Sequence, residues 1–435
     1  MTAALTPSLL VSLVLGVVLS VNLLTKLWLA SRQIRAVAGH RASVPAEFAQ
    51  AITLDAHQHA ADYTVAKLRL GLLELGLGAV LLLGWTLLGG LDWLNNALLD
   101  VMGMQRPLLQ PLALLVLFAV INGVIELPLS LYQTFVVEQR FGFNKMTLGL
   151  WLADLAKSTL LSVVIGVPLA ALVLWLMQAT GDWWWLWTWG AWMGFSLLMM
   201  VIYPMFIAPL FNKFQPLQDD ALQARVTELM RRCGFAAKGL FVMDGSRRSA
   251  HANAYFTGFG AAKRVVFFDT LLKQLTPSEV EAVLAHELGH FKHRHIAKRI
   301  VGMFAFSLAG LALLGWLAQQ SWFYAGLGVT PNLPASMGGT VPNHALALLL
   351  FMLVVPVFSF FLSPLMAQLS RKHEFEADAY AAAQANAQDL SNALVKLYKD
   401  NASTLTPDPV YVRFYYSHPP ASERIARMGA RVQAV

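Results

Sequence analysis

Residues 345–378 read ALALLLFMLVVPVFSFFLSPLMAQLSRKHEFEAD. The run 345–369 contains no Asp, Glu, Lys or Arg, and a hydrocarbon layer about 30 Å thick takes roughly 20 such residues in a helix. Glu374 and Asp378 follow directly, with no Gly or Pro between Met366 and Asn386. One helix is therefore predicted to leave the membrane and continue into water. It carries two carboxylates four residues apart, which places them on one face.

Outward from this segment, six more runs have the length and apolarity of membrane helices: 8–30, 70–91, 108–131, 158–178, 183–205 and 300–320. The runs at 70–91 and 108–131 carry one acid each, Glu74 and Glu126. Acids inside a bilayer usually face a cavity or a partner, so Glu74, Glu126 and Asn122 either line a polar space or are paired structural residues. The first run lacks a positive leader and its apolar core is too long for a signal peptide, so it is expected to remain as a helix. Across all 435 residues, 57% are hydrophobic and 13% charged, far from the soluble norm.

Charge supplies the orientation. The chain carries +7 with a pI near 9.5, but its basic residues alternate with long uncharged runs, which argues for membrane topology and against a nucleic-acid partner. With the N-terminus outside and the C-terminus cytoplasmic, segments 31–69, 132–157, 206–299 and 370–435 face the cytoplasm. Of the 32 Lys and Arg, only Arg106 then lies on the other side, Lys26 sitting at the inner end of the first helix. The chain divides into helices one to five with their loops (1–205), a soluble segment (206–299), helices six and seven (300–369) and a second soluble segment (370–435). The two soluble segments share one side and can form one domain. Trp183 to Trp192, with six Trp, has the character of an interfacial belt. His40, His57 and His59 are read as solvated loop or interface residues, not ligands.

A lone cysteine, Cys233, excludes a disulfide framework and any zinc site built from several thiolates. Any metal must use His and carboxylate. Thr276, Pro277 and Glu279 form an N-cap, a proline at the first helical position and the return carboxylate of a capping box, so a helix starts at 277. It carries His286-Glu287-Leu288-Gly289-His290. Positions four apart differ by only about 40° at roughly 100° per residue, so both imidazoles leave one face and can reach one zinc ion. Glu287 is then placed to take a proton from a water that the metal polarises.

From this composition the pattern arises by chance in roughly one sequence in a hundred, so its context matters. A catalytic zinc site commonly takes three protein ligands. His293 lies roughly 10 Å along the axis from His286, too far to share its ion, and position 296, where a longer pattern would place another His, is Ile. Glu374 and Asp378 offer the completion: one can bind the metal while the other supports a ligand His or protonates a leaving group. Glu376 is expected to point away. The metal falls near the cytoplasmic membrane surface, and its substrate is expected to be membrane-attached or to enter from the bilayer.

These residues resemble the type I CAAX prenyl proteases, seven-helix membrane zinc endopeptidases of the gluzincin group. The resemblance extends over Glu138 to Thr147 (EQRFGFNKMT), Ile207 to Leu217 (IAPLFNKFQPL), Arg248 to Gly258 (RSAHANAYFTG), Ser370 to Asp378 (SRKHEFEAD) and Ser417 to Arg424 (SHPPASER). It implies one Zn2+ per chain on His286, His290 and Glu374, with Glu287 as general base and Asp378 orienting a ligand or donating a proton. It also implies that Asn253 holds substrate backbone and that His418 steadies the carbonyl or oxyanion. From the residues alone, Asn253 to Phe256 and Arg264 to Phe268 read as a hairpin flanking a glycine-containing turn.

The expected fold is mainly α: seven transmembrane helices enclosing an intramembrane chamber, with a cytoplasmic α+β gluzincin-like zinc protease domain. The expected activity is zinc-dependent hydrolysis near the C-terminus of a membrane-anchored or prenylated protein by a monomer. A bacterial inner membrane is the preferred setting and the endoplasmic reticulum the alternative. Two other readings compete: a quality-control membrane protease of heat-shock type, and a transporter or channel whose metal is structural, which would be closed by a fourth protein ligand.

Overall fold

The computed structural model describes residues 6–103, 108–235, 239–257, 264–331 and 344–432. Arg106 and the turn of the expected hairpin, 258–263, lie outside the described residues. Among those described, seven helices are long and apolar enough to span a membrane: Pro7–Gly39, Leu54–Trp85, Leu109–Glu138, Leu148–Ala179, Gly181–Phe211, His295–Leu317 and His344–Gln384. They match the seven predicted runs one for one. Large apolar side chains such as Leu73, Val80, Val124, Leu160 and Val301 remain exposed on them, as expected of surfaces that lipid covers.

Several helices outrun their apolar stretch. The second starts at Leu54, where Thr53 Oγ1 accepts the Ala56 N–H at 3.3 Å, and its polar first half buries His57, Ala60, Ala61 and Tyr63. His57 is thus a buried helix residue, its Nε2 2.9 Å from the His40 carbonyl oxygen, and not a solvated one. The aromatic belt also has a second role: Trp183 and Trp187 are exposed, but Trp184 is buried and Trp189 Nε1 donates to the Phe304 carbonyl at 3.0 Å. A short helix, Gly90–Met102, buries Leu91, Leu94 and Asn95. The seventh helix runs through as expected, tightened by one 3-10 turn at Phe360–Leu362 just before Pro364.

The soluble part folds as one layered unit. Its sheet, β1 (Phe214–Pro216), β2 (Leu240–Met243), β3 (Ala254–Thr257) and β4 (Arg264–Phe268), has the order β1-β2-β4-β3, with only the β2–β4 pair parallel. β3 and β4 form the expected antiparallel pair, which leaves β3 at an edge. Leu284, Ala285 and Leu288 of helix Pro277–Lys292 pack into one core with Val226 and Leu229 of helix Asp220–Arg232, Phe267 of β4, Leu390 and Leu394 of helix Ala387–Asp400, and Ala381 of the seventh helix. The predicted capping box is present: Thr276 Oγ1 faces the Glu279 N–H at 3.4 Å, and Glu279 Oε2 accepts the Thr276 N–H at 2.7 Å.

One approach sets the spacing of the site. A methyl group at Gly289 would stand 2.8 Å from the Ala377 Cα and 3.0 Å from its carbonyl oxygen, closer than side-chain carbon tolerates. The helix bearing His286 and His290 therefore lies against the seventh helix with backbone nearly touching backbone. Gly289→Val should cost about 1–3 kcal/mol of stability through overpacking and weaken metal retention. Thermal melting and zinc competition with a chelator in detergent check this; an unchanged melt and unchanged zinc affinity would refute the close approach.

Candidate metal centre and active site

The two-helix contact brings three donor groups together. His286 Nε2 and His290 Nε2 are 3.2 Å apart, His286 Nε2 lies 3.3 Å from Glu374 Oε2, and His290 Nε2 lies 3.4 Å from Glu374 Oε1. Ligands about 2.0–2.1 Å from a tetrahedral zinc stand roughly 3.3–3.4 Å from one another, so the three spacings suit one ion. Glu374 Oε2 is buried and accepts no hydrogen bond, which is costly for a carboxylate unless a cation meets it. The donor set, two imidazoles and one carboxylate, fits zinc.

Electrostatics agree with that fit. Burial works to lower the His286 pKa, but the adjacent carboxylates of Asp378 and Glu374 outweigh it and raise the value to about 9. A metal must displace that proton to bind. Burial, with the neighbouring His286 charge, lowers His290 to about 4, leaving its imidazole neutral and ready to ligate. Burial also raises the carboxyl of the half-buried Glu287 above the ordinary carboxylate range, toward the value useful in proton transfer.

Asp378 lies behind the cluster, 2.8 Å from His286 Nδ1, and its other oxygen accepts the Arg424 Nε at 2.8 Å. Asp378 and Arg424 are both buried. Arg424 closes the quoted stretch Ser417 to Arg424, but nothing in its spacing marks it as a partner of Asp378; only the fold shows it. Glu376 does point away from the three donors, as expected, yet it is engaged: its Oε2 lies 2.8 Å from His295 Nε2. His418 is exposed and its Nε2 stands 3.4 Å from Glu374 Oε1, with Ser417 Oγ 2.9 Å from its Nδ1. Asn253 sits at the head of edge strand β3 and is exposed, its carbonyl oxygen accepting the Phe268 N–H at 3.0 Å.

A cavity of about 1370 Å³ joins these parts to the membrane helices. Glu74, Asn122 and Glu126 line it within the spanning region, and Asn253, His418 and Arg424 line it at the soluble end. The intramembrane chamber that the family resemblance implies is therefore present, and it reaches the donor cluster's side at His418 and Arg424.

The family relationships agree with this architecture. A family model described as the CAAX prenyl protease N-terminal domain with five membrane helices matches residues 33–213, and one described as Peptidase family M48 matches residues 216–432. The CAAX prenyl protease 1 homolog of Arabidopsis thaliana is 38% identical over 343 residues, covering 78% of either chain. CAAX prenyl protease 1 of Saccharomyces cerevisiae is 37% identical over 350 residues, 77% of this chain and 76% of that one. The crystal structure of S. mikatae Ste24p is similar at a TM-score of 0.89 and 30% identity, covering 96% of this chain and 99% of that one. A transporter with a structural metal does not account for these matches. The chain belongs to the CAAX prenyl protease branch of Peptidase family M48 and is a multi-pass, zinc-dependent membrane metalloendopeptidase.

Proposed function

We propose that the enzyme cleaves a peptide bond near the prenylated C-terminus of a membrane-anchored protein, with the soluble domain on the cytoplasmic side. The observation that carries this is the continuity of the chamber: one cavity runs from Glu74 and Glu126 among the spanning helices to Asn253 and His418 beside the donor cluster. A lipid-modified chain can then present its peptide to the site while its anchor stays at membrane depth. Relatives from plant, yeast and human are CAAX prenyl protease 1 or its homologs.

His286, His290 and Glu374 would hold zinc, which when bound supplies Lewis-acid polarisation of the scissile carbonyl and the attacking water. Glu287 takes the water's proton on its carboxylate and passes it to the leaving amine. Its raised pKa suits both steps. Asp378 has both oxygens occupied, Oδ2 by Arg424 and Oδ1 by His286 and Arg424 together, so it orients the imidazole and is not the free proton donor. With the Ser417 hydroxyl donating to its Nδ1, His418 keeps a proton on Nε2, the nitrogen that faces Glu374. That N–H can donate to the developing oxyanion. Asn253 lies where an extended peptide would pair with the edge of β3.

Purified enzyme offered matched farnesylated and unmodified C-terminal peptides should cleave the farnesylated one at least tenfold faster. A chelator should abolish both reactions. Equal rates would reject prenyl dependence, and indifference to the chelator would reject zinc catalysis. In the same assay Glu287→Gln should keep its zinc and lose at least a thousandfold in kcat; full turnover would remove Glu287 from the mechanism.

Arg424→Met leaves Asp378 a buried charge without its cation, which should cost about 3–5 kcal/mol of stability and loosen zinc. A melt within error of the parent would show the pair to be dispensable. Orientation is testable with Cys233, the lone and partly exposed cysteine on the soluble domain. An impermeant maleimide should label it in inverted vesicles and not in sealed right-side-out ones, and the reverse result would turn the topology over.

A further inference from the structure

Residues beyond the donor cluster form a second hydrogen-bonded path that the mechanism above does not use. His290 Nδ1 lies 3.0 Å from His295 Nδ1, and His295 Nε2 lies 2.8 Å from Glu376 Oε2. Taking His290 Nε2 as the metal-facing nitrogen, as proposed above, fixes every proton along this path. A ligating Nε2 carries none, so the proton sits on His290 Nδ1 and is donated to His295 Nδ1. His295 then carries its own proton on Nε2 and donates it to the Glu376 carboxylate. No alternative arrangement satisfies both contacts with a neutral His295.

The ring that must hold this direction is mechanically fixed. His373 stacks on His295 with centroids 4.0 Å apart and planes 12° apart, and His293 stacks with it at 5.5 Å and 15°. The His295 side chain is 2% exposed. The backbone is bent to bring it there: Arg294, between the two helices, has φ +55, a left-handed conformation costing a non-glycine residue about 1 kcal/mol. The turn returns His295 to the side of His290 five residues earlier.

We infer that His295, backed by Glu376, is the positioning residue that sets the tautomer and ring orientation of His290. The two imidazole ligands are then supported differently: His286 directly by the carboxylate of Asp378, and His290 through an intervening imidazole.

His295, His373 and Glu376 also have donor atoms close enough to suggest a second metal site. The stack argues against it. Imidazole lone pairs lie in the ring plane, and in two nearly parallel planes 4.0 Å apart they run side by side and do not converge on one ion.

The test is zinc retention by the full-length enzyme in detergent, measured as competition with a chromophoric chelator, with metal content and melting of the metal-free protein in parallel. His295→Ala should weaken zinc binding ten- to a hundredfold. His295→Asn, whose side-chain oxygen can stand near the lost Nδ1, should recover much of that loss. Glu376→Ala should weaken binding less than His295→Ala. If His295→Ala binds zinc as the parent does, the inference is wrong. It is equally wrong if Asn and Ala are equivalent, or if His295→Leu, which fills the space without an acceptor, recovers as much binding as Asn. Two tightly held ions per parent chain, the second lost in His373→Phe, would overturn it in favour of a metal site. Should His295→Ala fail to fold, the comparison of His295→Asn with the parent decides: near-parental affinity supports the acceptor role and a hundredfold loss opposes it. A parent that binds no zinc would instead overturn the ligand assignment itself.

Discussion

The near-contact of Gly289 with Ala377 governs the rest. His286 and His290 belong to a soluble helix, whereas Glu374 belongs to a helix that has just crossed the membrane. One complete spanning helix, His295–Leu317, and the apolar length of the seventh separate them in sequence. The donor atoms, 3.2–3.4 Å apart, are carried by two helices whose backbones approach more closely than side chains larger than glycine would allow. A glycine facing an alanine supplies the approach. Because the second helix is rooted in the bilayer, the site inherits its position relative to the membrane from that contact.

Bringing the helices together also concentrates charge away from water. Glu374, Asp378 and Arg424 are all buried, and so is the imidazole of His286. Isolated, each charge would be several kcal/mol unfavourable in a low-dielectric interior. Arg424 on Asp378 and Asp378 on His286 compensate two of them through short, directed hydrogen bonds. Glu374 Oε2, which accepts no hydrogen bond, lies where the His286 and His290 imidazoles converge. Its charge is met by the proton that its neighbour His286 holds, and a cation at that point would take the proton's place.

How much of this was legible follows from range. The seven spans, the capping box at Thr276 and the shared face of His286 and His290 are local properties, carried by run length, cap chemistry and a spacing of four. They read directly. Helix ends did not, because the polar start of the second helix is held by Thr53 and by burial of Tyr63, a tertiary effect that hydropathy does not see. Arg424 was quoted without a role for the same reason: its meaning depends on Asp378, which lies 46 positions earlier. Spacing excludes His293 as too distant to share the ion and gives His295 no role, although its ring meets His290 in the fold. Spacing ranks residues by distance to an ion, and it is silent about residues whose task is to hold a ligand.

The chamber explains why acids persist inside the spans. Glu74 and Glu126 sit in helices whose outer faces show leucine and valine, and a carboxylate facing lipid would be several kcal/mol unfavourable. Both line the cavity, as does Asn122, which accepts the Trp85 Nε1–H at 3.1 Å. These polar groups offer water partners among the leucines that also line the cavity, and hydrolysis consumes water. A peptide bond tethered to a membrane lies at a depth where water is scarce. A cavity that carries polar groups at membrane depth and reaches His418 and Arg424 beside the donor cluster would admit water to such a bond without first extracting the anchor, so the intramembrane acids and the donor cluster answer a single physical requirement.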